Sequence, residues 1–443
     1  MRQLWHSFRH GVHPPELKGL TASLPIRRLP FPEDVILPLR QHAGKPARCI
    51  VRVGDRVERG DTVAEADGHV SAPVHASAAG TVASIGLWPH PDGSHATAIR
   101  IAVEKYSAQA IRPRIVPEWE ALTREELIAA VKDAGVVGLG GAAFPAHVKL
   151  APPPEFPIET LVVNGCECEP YLTTDHRTMV EYPERVQLGI RIMLRCLGAK
   201  RAIIGIEKNK PDASEAIRRT LPTDLDVSVL DLTVKYPQGA EKMLIKAVLG
   251  REVPSGRLPM HVGVVVQNVA SLATIAEVFE TGLPLIERIV TVTGKGITSP
   301  ANLIVPVGTR LRYLLDACGG LHPDAREIVY GGPMMGIAQA DLDVPVTKGT
   351  TGVMVLSEDE VRQRQTWPCI KCGHCLDACP VFLNPQWLGA LALADRFEEM
   401  ESAHLNDCML CGCCSYVCPS NIPLSQLFAA SKSRVRKLKV VAA

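Results

Sequence analysis

Hydrophobic and polar positions follow three different rhythms along the chain. Between residues 37 and 103 the apolar residues come in short runs (VRVGDRVERGDTVAEA, HVSAPVHASAAGTVASI and ATAIRIAVE), broken at Gly54-Asp55, Gly60-Asp61, Asp67-Gly68 and Gly80. Such runs between turn residues predict short strands. The rhythm changes at Thr123-Arg124-Glu125-Glu126, a capping-box pattern ahead of the helix-periodic LIAAVKDA, with Gly135 placed to end that helix in a left-handed cap. Four apolar runs follow, at 161–163, 202–206, 227–232 and 262–266, with helical patterns starting at Pro211 and at MLIKAVLG and SLATIAEVF. Strands alternating with helices predict an α/β sheet with ligand groups on its loops. Further strands are expected at 289–292, 302–305 and 327–330 around RLRYLLDACG. The last quarter reads as helical. It has a charged lead-in over 358–365, a helix over 385–396, a short helix over 423–430, and then a basic tail of Lys432, Arg434, Arg436, Lys437 and Lys439. Residues 2–21, rich in His, Pro and Gly, show no period and predict an extended arm.

Composition narrows the class. The 443 residues suffice for about three domains, and 46% hydrophobic with 21% charged residues is ordinary for a globular protein. A net charge of +1 and only 5% aromatic residues argue against nucleic-acid binding. The opening MRQLWHSFRH has no apolar core of a secretory signal, and the apolar runs are too short to cross a bilayer. Fourteen cysteines in such a chain predict a reducing compartment. The expectation is a protein of the cytoplasm or of the cytoplasmic face of a membrane.

The strongest chemical signal is a doubled cysteine run. Cys369, Cys372, Cys375 and Cys379 precede Pro380, and Cys408, Cys411, Cys414 and Cys418 precede Pro419 with the same spacing. This is the C-x2-C-x2-C-x3-C-P pattern of two-cluster ferredoxins, in which the fourth cysteine of each run ligates the other cluster. The expected sets are Cys369, Cys372, Cys375 and Cys418 for one [4Fe–4S] cluster, and Cys379, Cys408, Cys411 and Cys414 for the second. Zinc favours two separated ligand pairs, and disulfides need no repeated spacing. Cys413 is off register and is read as a non-ligand. Cys166 and Cys168 read as small buried thiols rather than a metal site.

A second signal is the glycine crowding of Val136–Pro145 (VVGLGGAAFP), which lets backbone N–H groups approach a phosphate, with Lys149 supplying positive charge. The segments GLGGAAFPAHVK, VVNGCECEP, GAEK and VVQNV resemble the NADH-oxidising flavoprotein subunit of respiratory complex I. Over nearly the whole chain, HGVHPPELK, LRQHAGKPA, SAPVHA, GREVPSGRLP, YGGPMMG and the two cysteine runs resemble the C subunits of Rnf-type electron-transport complexes. The resemblance implies four folded parts after an arm over 1–36. These are a lipoyl-like barrel-sandwich hybrid over 37–115, a Rossmann-like FMN/NADH domain over 116–284, a β-grasp (SLBB) domain over 285–356 and a helical two-cluster ferredoxin domain over 357–443. The barrel-sandwich hairpin Ala66-Asp67-Gly68-His69 has no lysine, so a structural or docking role is expected rather than a swinging-arm carrier.

Carried over by motif, Gly138, Gly140, Gly141 and Lys149 would cradle FMN, Asn164, Glu167, Gln267 and Asn268 would face the flavin, and Gly239 and Glu241 would lie beside it. Phe144 and Glu169 would contact NADH. Ala143, Ala146 and Ala240 stand where relatives carry Gly, Thr and Gly, and Cys166 stands where complex I proteins carry Asp. The resemblance implies an oxidoreductase subunit in a membrane-bound complex, passing electrons between NADH, FMN and two clusters, and onward to ferredoxin or flavodoxin through partner subunits that move ions. Two other readings are a soluble cobalamin reductase of similar architecture and an electron relay without flavin.

Overall fold

The computed structural model describes residues 6–110, 118–361 and 365–442, with side chains as far as Lys437. The short runs of the N-terminal part form two small sheets. One orders Asp34–Pro38, His95–Val103, Gly80–Pro89 and Arg56–Val57, and the other orders Arg48–Cys49, Thr62–Glu65 and Val74–His75. Their inward residues, among them Val35, Leu37, Val63, Val82, Ile99 and Ile101, close one core. A Cβ at Gly80 would stand 2.1 Å from the Ala102 carbonyl, so only glycine lets the long hairpin close there.

The four central runs form a parallel sheet in the order Asp226–Leu232, Arg201–Glu207, Thr160–Gly165, Val264–Asn268. Its two faces feed two cores. Leu161, Val163 and Ile204 pack with Leu127, Ile190 and Ile275 on one side, and Val162, Val264 and Val266 pack with Leu244 and Ile245 on the other. Burial on both faces explains why Thr160–Gly165 and Val264–Asn268 are continuous apolar runs, whereas the edge strand Asp226–Leu232 alternates apolar and polar residues and is partly exposed. The Arg124–Asp133 helix carries the expected capping box, and Gly135 has φ +65°. Two further helices, Thr174–Glu181 and Pro183–Leu197, were not anticipated from the sequence pattern.

The β-grasp part is a six-stranded mixed sheet ordered Ile26–Arg28, Ala301–Pro306, Glu287–Thr293, Gly352–Ser357, Ala325–Tyr330, Ile337–Ala338. Its first strand comes from the segment expected to be arm, and Asp34–Pro38 already belongs to the sandwich. The extended arm therefore ends before Ile26, because its apolar residues find open edges in two sheets. The C-terminal part is helical, as expected, with helices including His374–Ala378, Pro385–Leu393, Phe397–Ser402 and Cys413–Tyr416. The charged lead-in is not a helix where it is described: residues 358–360 form a turn, and 362–364 lie outside the described residues. The basic tail is not a separate end either. One helix runs Leu424–Ala442, because Leu424, Phe428 and Val435 share a buried face and carry the basic residues with them. The side chain of Lys439 lies outside the described residues.

Candidate functional site

Two successive strands lie to one side of Thr160–Gly165, and Val264–Asn268 joins on the other, with Asn268 directly opposite Asn164. Strand order reverses at this point, and the carboxyl ends of strands at such a reversal are where open α/β sheets bind ligands. The glycine loop sits over it. Gly138 N donates to the Phe144 carbonyl at 2.8 Å and Ala143 N to the Gly138 carbonyl at 3.1 Å, which folds residues 138–144 into a closed turn. A Cβ at Gly140 would stand 3.4 Å from the Asn268 side chain, and around Gly141, at φ +97°, there is open space. The loop thus presents bare backbone at the crevice.

Lys149 enters from the Ala146–Leu150 helix. Its Nζ lies 2.8 Å from Glu241 Oε1 and 3.0 Å from the Val266 carbonyl. Asn164 Nδ2 donates to the Gly239 carbonyl at 2.8 Å, while Asn164 Oδ1 accepts from Cys166 N. A Cβ at Gly239 would meet the Cys166 carbonyl at 2.4 Å, so this approach requires glycine. The structure therefore pairs Lys149 with Glu241, Asn164 with Gly239, and Gly140 with Asn268 beside the carboxyl ends of Thr160–Gly165 and Val264–Asn268, with Gly138 and Gly141 on the same loop as Gly140. Phe144 is half-buried on the loop, and Gln267 is buried beside Asn268 with its Nε2 unpartnered. Bare glycine backbone, a cation and an orphaned buried amide fit a phosphate-bearing, hydrogen-bonding cofactor.

Two expected contacts have structural engagements. The Glu167 carboxylate accepts from Thr174 Oγ1, Asp175 N and His176 N at 3.0, 2.9 and 3.2 Å, capping the Thr174–Glu181 helix. Glu169 Oε1 accepts from Met334 N at 2.7 Å and Met335 N at 3.0 Å, tying the sheet end to the YGGPMMG loop. Burial raises its pKa. Asn268 also caps the Val269–Thr281 helix, and its Nδ2 donates to Asp175 at 2.6 Å. Asp175 is pushed up to about 7 by burial and then by the Glu167 charge. Neither Asp175 nor Gln238, a fully buried amide with both polar atoms unpartnered, was flagged by the sequence. Both lie in segments without a distinctive spacing. Burial pushes the Cys168 thiol up to about 12 and the Cys166 thiol higher than its ordinary value, keeping both neutral. Cys166 Sγ donates to the Gly205 carbonyl at 3.5 Å, as a packed thiol does.

The doubled cysteine run folds as a doubled backbone. Lys371, Gly373 and Phe382 have φ of +57°, +83° and +58°, and Leu410, Gly412 and Asn421, at equivalent offsets, have +56°, +80° and +51°. Left-handed residues interleaved with right-handed ones turn successive N–H groups toward one side, the arrangement that receives an anionic centre. Cys379, Cys408, Cys411 and Cys414 line one cavity, the fourth cysteine of the first run meeting three of the second. None of the fourteen cysteines is joined to another in a disulfide. Among the described residues no three His, Cys, Asp or Glu side chains converge as on a single ion. Four thiols spread around a cavity suit a cubane, whose irons are separate corners. The residues present fit the cluster.

A parallel sheet with a bare-backbone crevice, joined to a doubled ferredoxin-type cysteine fold, defines a flavin and iron–sulfur electron-transfer protein. Family models match as the FMN-binding domain of Nuo51 over 131–277, the RnfC barrel-sandwich hybrid domain over 6–106, the SLBB domain over 289–338 and a 4Fe-4S dicluster domain over 365–422. The chain is 43% identical to the C subunit of the proton-translocating ferredoxin:NAD(+) oxidoreductase complex of Clostridium ljungdahlii, over 90% of this chain and 87% of that one. It is 41% identical to the C subunit of the Na(+)-translocating complex of Acetobacterium woodii, over 90% of each. An NAD+-reducing [NiFe]-hydrogenase structure shares the fold over 65% of this chain and 55% of its own, with a TM-score of 0.50 and 23% identity. The chain belongs to the family of C subunits of ion-translocating oxidoreductase complexes. FMN and two [4Fe–4S] clusters are its cofactors. Among the described residues no helix is long and apolar enough to cross a membrane.

Proposed function

We propose that this chain is the peripheral subunit of a membrane-bound, Rnf-type NADH:ferredoxin oxidoreductase, seated on the cytoplasmic face of the membrane, where it passes electrons between NADH, FMN and two [4Fe–4S] clusters. Other subunits of the complex are its partners, and ferredoxin or flavodoxin exchanges electrons through them. The observation that carries the reading is the presence, in one chain, of a bare-backbone crevice at a strand-order reversal and the four-thiol cavity of the second cysteine set. Bound FMN supplies the conversion between a two-electron hydride donor and one-electron acceptors.

Gly138, Gly140 and Gly141 are assigned to the phosphate and ribityl side of that cofactor, with Lys149, oriented by Glu241, as the neutralising charge. Asn164, Gly239, Gln267 and Asn268 are assigned to its ring side. Glu167 acts there by fixing the Thr174–Glu181 helix and the charge of Asp175. Phe144 and Glu169 are assigned to NADH. Cys369, Cys372, Cys375 and Cys418 hold one cluster, and Cys379, Cys408, Cys411 and Cys414 hold the other. The test is anaerobic addition of NADH to the reconstituted protein, with flavin absorbance and cluster EPR followed together. Flavin bleaching followed by a reduced-cluster signal is expected. Clusters that dithionite reduces but NADH does not, with no bleaching, would overturn the NADH assignment.

A further inference from the structure

The two cysteine sets have different surroundings. Cys369 and Cys372 are exposed, whereas Cys379 and Cys414 are buried and the Cys408–Cys414 loop is docked on the flavin-binding and β-grasp parts. Tyr236, only 1% exposed, donates its hydroxyl to the Cys411 carbonyl at 2.7 Å. It stands three residues before Gly239, at the edge of the crevice. Gly412 lies so close to the β-grasp loop that a Cβ would stand 2.6 Å from the Met334 carbonyl. Asp407, just ahead of the loop, accepts from Ser255 and from Gly256 N. From the other side, Gly11 N donates to the Ala378 carbonyl at 3.1 Å and His10 Nδ1 lies 3.1 Å from the Cys379 carbonyl. Cys413, off register as a ligand, is 1% exposed in an apolar contact shared by Val12, Tyr236 and Ala378. This off-register thiol anchors the loop.

We propose that the cluster of Cys379, Cys408, Cys411 and Cys414 is the one facing the flavin, and that Tyr236 is a positioning residue that seats it and sets its reduction potential through the Cys411 backbone. With FMN bound at the sheet end and a cluster held by Cys379, Cys408, Cys411 and Cys414, an electron leaving the flavin would cross this junction, one electron lost on the flavin side for one gained by the cluster. The exposed cluster of Cys369, Cys372, Cys375 and Cys418 then stands last before the surface. The Tyr236 hydroxyl donates to the Cys411 carbonyl rather than to its sulfur. It draws negative charge off the peptide that carries a ligating thiolate, which favours the added negative charge of the reduced cluster, so its loss makes reduction harder.

The inference rests on the cluster assignment but not on NADH oxidation, so the test uses dithionite and redox mediators. Y236F, which keeps the ring and removes the hydroxyl, is combined separately with Cys372→Ser, which leaves the second set intact, and with Cys414→Ser, which leaves the first. If neither single-cysteine variant retains one cluster, the cluster assignment itself fails, and the inference with it. In EPR-monitored titrations Y236F is expected to lower the equilibrium constant for reduction about tenfold in the Cys372→Ser protein, about 59 mV for one electron, and to leave the Cys414→Ser protein unmoved. Equal shifts in both, or none in either, would overturn the proposal. Should Y236F lose iron instead, loss confined to the Cys372→Ser protein supports the contact, and loss from both overturns it.

Discussion

Ala143 sits on the glycine loop with φ +48°, in the left-handed region where a methyl is costly and glycine is at ease. Glycine there would avoid the cost. In this chain the residue is packed on both sides. Ala43 N donates to its carbonyl at 3.0 Å, and Gly349 approaches so closely that a Cβ there would stand 3.3 Å from the Ala143 methyl. Because strain and glycine's extra unfolded-state entropy oppose each other, Ala143→Gly is expected to change stability by less than about 1 kcal/mol, toward the stable side. Chemical denaturation of the two proteins side by side checks this. The sequence marked the position only as an alanine in a glycine-rich loop; the backbone angle shows that it is one where glycine would be at ease. Glu167 shows the opposite case. Its motif places it at the ligand end of a strand, yet tertiary structure spends its carboxylate on a helix N-terminus that the polar segment TDHRTMVE offered no reason to expect.

At the scale of elements, the N-terminal arm is a strap across the junction. Val12 and Tyr236 exchange both backbone hydrogen bonds, at 2.8 and 2.9 Å, and Tyr171 N donates to the Glu16 carbonyl. Lys18 Nζ reaches the Glu169 carbonyl at 2.8 Å, and Lys235 Nζ reaches that of Phe8 at 2.9 Å. The strap turns at Gly11, where φ is +80° and a Cβ would stand 2.5 Å from the Tyr236 carbonyl. Gly11→Ala is therefore expected to cost about 1–3 kcal/mol at this contact and to free the arm first. Limited proteolysis should then clip the arm faster than in the unaltered chain, with the central sheet still protected. The sequence predicted an extended arm but not its path, because a segment without period carries no information about the surface it crosses.

Across the whole molecule, Lys348 ties three folded parts together. Its Nζ donates to the Pro73 carbonyl of the sandwich and the Gly135 carbonyl of the flavin-binding part, both at 2.7 Å, from a loop of the β-grasp part. Its backbone N donates to Gln41 Oε1 at 3.1 Å. Burial pushes its pKa from 10.5 down to about 7. Between these values the unfolded chain holds a proton that the folded chain has lost, so this group makes stability rise with pH. Its penalty is complete below about pH 7 and gone above 10.5. The slope contributed is up to about 1.4 kcal/mol per pH unit. Lys348→Met is expected to remove that rise, so thermal unfolding midpoints of the variant should fall behind those of the unaltered chain as pH increases through this window.

Local chemistry follows from the order of the residues alone. The doubled cysteine spacing, the capping box at Thr123 and the strand runs are set by neighbours within a few residues, and each folds as its pattern predicts, while the glycine loop closes as a tight turn. What meets across long separations was left to tertiary packing. Packing paired Asn164 with Asn268 at the strand-order reversal, placed Tyr236 on Cys411, and gave the Ile26–Arg28 strand to a sheet whose other strands come from far along the chain. Those meetings depend on how buried faces stack and where backbone groups find partners, and no local pattern of side chains encodes them.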